Sequence, residues 1–193
     1  MPAYSLMLFL HFAFMIAAVA ASALAGFAAW RLRCVQSSAE AVQWAQFVRR
    51  VVPTFPVASL GLLGTGAYMT SKLWTWSTPW VIAGLAGLIA IMLLGAGVEG
   101  QRGRAAVAEL RASGLSPRAR GLLRDPVAWS AKVTTWTLVL AVVFVMTAKP
   151  TALICALALV SAPIAGVLLA VPFWSAPRRE QSEKLVPRPS RPI

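Results

Sequence analysis

His11 is the only histidine in the chain, and it sits in a long apolar run with Met7 four residues before it and Met15 four residues after. On a helix the positions i, i+4 and i+8 share one face, so this spacing stacks an imidazole between two thioethers. Those donors are soft. Together they suit copper(I), and a histidine with a methionine can also hold haem iron axially. At about 1.5 Å per residue, His11 lies roughly 10 Å inside its run, where an imidazole is costly unless it is paired or ligated. Two readings fit the pattern. His11 is a metal or haem ligand flanked by Met7 and Met15, or it hydrogen-bonds across helices while the methionines merely pack. A quinone or proton role is a further use of the same ring.

Lys149 is the second candidate for cofactor binding. It ends the fourth apolar run on the side where His11 lies, so the two are placed to face one cavity, with the ammonium holding an acidic group such as a propionate. The plainer alternative is a lysine that snorkels to the headgroups. Other motifs carry less. Gly95-Ala96-Gly97-Val98-Glu99-Gly100 matches the dinucleotide fingerprint by letter, yet an apolar run precedes it where a strand is required. It reads as a glycine-rich exit from the third run, with Glu99 expected to pair with nearby arginines. No nucleophile triad, zinc-ligand spacing or phosphate loop is visible, so no catalytic residue is assigned and an enzyme is not the expectation. Cys34 and Cys155 read as structural thiols too far apart to pair.

The elements that position these residues are membrane helices. The chain is 59% apolar and 12% charged, with a mean hydropathy of +0.72. A soluble domain of this length cannot hide so much apolar surface. Crossing the hydrocarbon takes roughly 20 apolar residues as helix. Five windows qualify: Tyr4 to Trp30, Val52 to Thr70, Trp80 to Val98, Val127 to Ala148 and Thr151 to Phe173. The expected fold is an all-α polytopic bundle of five transmembrane helices over residues 1–174, followed by a disordered cytoplasmic tail at 175–193.

Of the 18 basic residues, all but Lys72 and Lys149 fall on one side of these windows. The positive-inside rule then places the N-terminus outside and the C-terminus in the cytoplasm. The net charge of +12 is explained by these arginines beside anionic headgroups, so the bilayer is the expected partner and nucleic acid is not. Ala23-Leu24-Ala25 has the form of a signal-peptidase site, but no basic residue precedes the run and the run is too long, so the first helix is expected to remain.

Connections are legible too. Ser37-Ser38-Ala39-Glu40 is a capping-box pattern opening an amphipathic stretch, expected to lie at the inner interface. Gly114 ends a short helical pattern, Ser116-Pro117 begins another, and Asp125-Pro126 caps the fourth span. Lys149-Pro150 alone joins spans four and five, which makes a tight hairpin. Pro163 is expected to kink the fifth span and release the Leu159 carbonyl.

Leu10-His11-Phe12, Pro56, the run Leu62-Leu63-Gly64-Thr65-Gly66 and Met146-Thr147-Ala148-Lys149-Pro150 resemble, over residues 4 to 150, an uncharacterised bacterial family of predicted integral membrane proteins. More distantly the pattern is similar to the copper-resistance D (CopD) membrane domain and to HemJ-type protoporphyrinogen oxidases. The resemblance implies a four-helix unit with a histidine in its first helix and a Lys-Pro end, carried here by His11, Lys149 and Pro150. In HemJ-type proteins that histidine position is associated with haem b. This chain departs by lacking their other histidines and by adding a fifth span. The resulting expectation is a protein of a bacterial plasma membrane, associated with haem b or copper through His11. The alternative is a non-catalytic accessory subunit packed beside membrane-protein partners, or a homo-oligomer.

Overall fold

Inside lipid the backbone can bond only to itself, so uncharged apolar runs of this length become helix. The computed structural model describes residues 2–174, and apart from short connections they are helical, with no strand among the described residues. In chain order they form α1 (Pro2–Cys34), α2 (Ser38–Val51), α3 (Thr54–Leu73), α4 (Pro79–Leu93), α5 (Gly100–Ser113), α6 (Pro117–Leu123), α7 (Pro126–Ala148) and α8 (Ala152–Ala170). A π-helical segment, Leu94–Glu99, joins α4 to α5, and a 3₁₀ turn at Val171–Phe173 follows α8. Five stretches are long and apolar enough to cross a membrane: Ala3–Cys34, Ser38–Leu73, Pro79–Ser113, Pro117–Ala148 and Ala152–Phe173. That is the make-up of a multi-pass membrane protein. The tail at 175–193 lies outside the described residues.

The helix ends follow from their capping residues. Ser37 accepts from the Glu40 amide at 3.2 Å, Ser116 from the Ala119 amide at 3.1 Å and Asp125 from the Val127 amide at 2.9 Å. Each satisfies an orphan N–H of a first turn. The return arm of the capping box is not made, because the Glu40 carboxylate takes Arg31 of α1 instead, at 2.8 Å. Gly114, at φ +61°, turns the chain out of α5. Lys149 does the same for α7 at φ +48°, a left-handed conformation that a lysine holds at some cost.

Packing is inside out relative to a soluble domain. Leu140 and Leu153 are 69% and 70% exposed, while the buried positions are largely Ala, Gly, Ser and Thr. Small residues let helices approach closely in lipid, where no hydrophobic force separates core from surface. The most extensive contacts join α7 to α8 and α1 to α3, and α4 packs on α7 and α8. Glycines cut slots for large side chains: Trp136 of α7 fills the space at Gly26 of α1, and Phe14 of α1 that at Gly61 of α3. This explains a tryptophan in the middle of a span. At the proline in α8, Thr137 of α7 donates to the Ala162 carbonyl at 2.7 Å. The helix runs on through Pro163 from Ala152 to Ala170.

α2 runs antiparallel to the last turns of α1, with Trp44 edge-on to Phe27 at 5.7 Å, and leads into α3 after a break at Val52 and Pro53. Part of its apolar face packs on protein, since Ala41 joins Leu32, Val35 and Leu110 in a buried cluster that also packs Trp44 and Val48, while Val42 stays exposed. One expectation is corrected: among the described residues Glu99 pairs with no arginine. Its carboxylate, at the end of the π-helical segment, meets the Lys132 ammonium and accepts from the Thr135 hydroxyl at 2.7 Å, both on α7.

Candidate functional site

α1 and α3 bring His11 against the small-residue run of α3. The His11 Nδ1 lies 2.9 Å from the Thr65 Oγ1. A hydroxyl has one proton, and that of Thr65 goes to the Gly61 carbonyl at 2.7 Å. Thr65 therefore accepts, and the donor is Nδ1–H. That tautomer carries its lone pair on Nε2, and a partner at Nδ1–H is how a metal-ligating histidine is held in orientation. Gly66 makes the approach possible, because a Cβ there would stand 3.4 Å from the His11 Cε1.

Met7, His11 and Met15 are all half-buried on α1, and the helical rise sets their Cα positions about 6 Å apart along the axis. His11 is the one imidazole in the chain that could hold a haem iron. A copper(I) ion needs only two or three soft donors from one side, and one helix face can provide them. Among the described residues no cluster of three or more His, Cys, Asp or Glu occurs.

Lys149 is placed elsewhere. Its ammonium lies over the rings of Trp74 and Trp80, at 4.5 and 5.2 Å from their centroids, and those rings meet edge to face at 5.0 Å. This cation–π seat at the α3–α4 connection accounts for the lysine without a ligand. Neither Lys149 nor His11 lines the cleft at Leu32, Val35 and Leu123 or the one between α2 and α5. Cys155 is buried with its thiol 3.6 Å from the Pro150 carbonyl, and Cys34 is exposed and free.

Sequence reasoning picked out His11 and its methionines but not Thr65 as the group that sets the tautomer. Its signal was a hydroxyl inside a span, flanked by Gly61, Gly64 and Gly66. The Glu99–Lys132–Thr135 cluster was also missed, because its partners come from α7, more than thirty residues away, while several arginines are nearer in sequence. Comparison with family models, curated proteins and solved structures finds no match to this chain.

Proposed function

We propose that this multi-pass protein sits in a bacterial plasma membrane, N-terminus outside and C-terminus in the cytoplasm, and binds copper(I) through His11 with Met7 and Met15. The observation that carries the reading is the His11–Thr65–Gly61 relay, which leaves Nε2 with a lone pair, on a residue whose i−4 and i+4 neighbours are the two methionines. The charge bias of the connecting segments supports the orientation. Haem b is the second reading, favoured by the same Nε2, with His11 as one axial ligand and the other supplied from outside the chain. A bound haem would bring electron-transfer chemistry, and this chain's part would be to hold and orient the iron through His11.

The test is metal analysis with a reduced-minus-oxidised absorption spectrum on protein purified in mild detergent from cells supplied with copper and haem precursor, beside its His11→Ala variant. Stoichiometric copper lost in the variant supports the copper site. A haem band lost in the variant transfers the assignment to haem. A colourless, metal-free wild type that also fails to take up copper(I) under reducing conditions makes His11 an interhelical packing residue, and the chain an accessory subunit of a membrane complex.

A further inference from the structure

The π-helical segment Leu94–Glu99 interrupts a helix that otherwise runs from Pro79 to Ser113, and it changes which residues face α7. On α4 that face carries Gly84 at Met146, Gly87 at Val142, and Ile91, which clusters with Leu138. Steps of three and four are those of one α-helical face. Continued in α form, the face reaches Val98, seven residues past Ile91. Glu99, one further, would stand about 80° off it at about 100° per residue. Yet Glu99 is the residue found on α7, with its carboxylate on the Lys132 ammonium and accepting from Thr135 at 2.7 Å. An i→i+5 turn takes up one extra residue, which makes good that angle.

Such turns are rare and need a local cause, which the Glu99 contacts supply. The segment also has room to turn, because a Cβ at Gly95 or Gly97 would meet nothing within 4 Å. Downstream, α5 inherits the register. Its Leu110 is 2% exposed in the cluster with Leu32, Val35 and Ala41, and its Arg102 meets Asp125 at the start of α7. Were the segment to close as α-helix, each residue of α5 would take the angular place of the one after it, a turn of about 100°. The Glu109 carboxylate would then stand where Leu110 stands now. An acid in that apolar cluster is strongly disfavoured, so α5 would come off α2.

We propose that Leu94–Glu99 is a two-register joint between the α4–α7 seam and the α2–α5 contact. While Lys132 and Thr135 hold Glu99, the π turn persists and α5 docks on α2. When the carboxylate leaves them, the segment closes to α-helix, and α5 turns and releases α2. The joint is independent of the His11 reading and stands or falls separately from it.

The experiment places Leu110→Cys in a Cys34→Ser background and follows N-ethylmaleimide labelling of the full chain in mild detergent by intact mass. Position 110 should be nearly silent, and Cys155 is buried as well. Adding Glu99→Ala should raise the labelling rate at least about tenfold, the scale of losing a hydrogen bond to a charged group. Deletion of Ala96 takes out the extra residue, so Glu99 reaches α7 along plain α-helix and Leu110 keeps its place. In that deletion background Glu99→Ala should leave position 110 silent, because no π turn remains to close. If the Ala96 deletion does not fold, deletion of Gly97 removes one residue from the same turn. Amide hydrogen exchange along α5 supplies a second readout, since a turned α5 stays helical and keeps its protection. An unchanged labelling rate in Glu99→Ala overturns the joint. So does an equal rise with and without Ala96, which would mean a loosened seam, or loss of amide protection throughout α5, which would mean unfolding.

Discussion

At Thr65 a single proton decides what the neighbouring histidine can do. Because that proton is committed to the Gly61 carbonyl, Oγ1 accepts from Nδ1–H and the Nε2 lone pair is left for a ligand. Thr65→Val keeps the volume and removes the acceptor. Interhelical hydrogen bonds in membranes average about 0.6 kcal/mol, so stability should fall only slightly. Loss of an orienting partner typically costs about 10–100-fold in metal affinity. The expected result is therefore a marked loss of copper(I) affinity, read by competition with a chromophoric chelator, with a thermal midpoint in detergent close to wild type. An unchanged affinity would remove Thr65 from the site. Met7→Leu and Met15→Leu conserve packing and delete one sulfur each. If both thioethers ligate, each variant weakens copper(I) and the pair weakens it more than either alone.

Between elements, the polar contacts in the helix seams divide by how much the sequence disclosed. Capping signals are local, which is why Ser37, Ser116, Asp125 and Gly114 were all legible as helix boundaries, and continuous apolarity made the five long helices legible. The packing of α2 was not, because an amphipathic pattern does not say which protein surface it meets, and the contact of Ala41 with Leu32 and Leu110 joins residues far apart in the chain. The pairing of Glu99 was hidden for a similar reason: the π-helical turn before it shifts the face it presents, and periodicity of 3.6 does not register that shift. This pair makes a clear prediction. The Glu99 and Lys132 side chains are only 12% and 16% exposed, so removing one partner leaves a charge with poor solvation. Lys132→Met should destabilise the α4–α7 seam by about 3–5 kcal/mol, whereas Lys132→Met combined with Glu99→Leu should recover much of that. Chemical unfolding in mixed micelles measures both, and additive losses would show the pair uncoupled. Gly166 tests the α7–α8 seam in the same way. A side chain there runs into the Thr134 backbone, which cannot rotate away, so Gly166→Val should cost about 1–3 kcal/mol by overpacking.

For the whole molecule, the distribution of charge and the assembly of helices constrain each other. If all five long apolar helices cross, the basic residues of the α1–α2 and α5–α6 connections share one side and Lys72 and Lys149 take the other. The proposed orientation puts that basic side in the cytoplasm by the positive-inside rule, and the exposed Cys34 thiol reports on it. Cys155 is buried against Pro150 and should stay silent. In intact spheroplasts a membrane-impermeant maleimide should leave wild-type protein unlabelled, and permeabilisation should expose Cys34 to full labelling. Ser77→Cys, in the exposed connection between α3 and α4, should label before permeabilisation. The inverse pattern would turn the molecule over. His11 would then lie nearest the cytoplasm, and any copper(I) reaching it would come from the reducing side of the membrane.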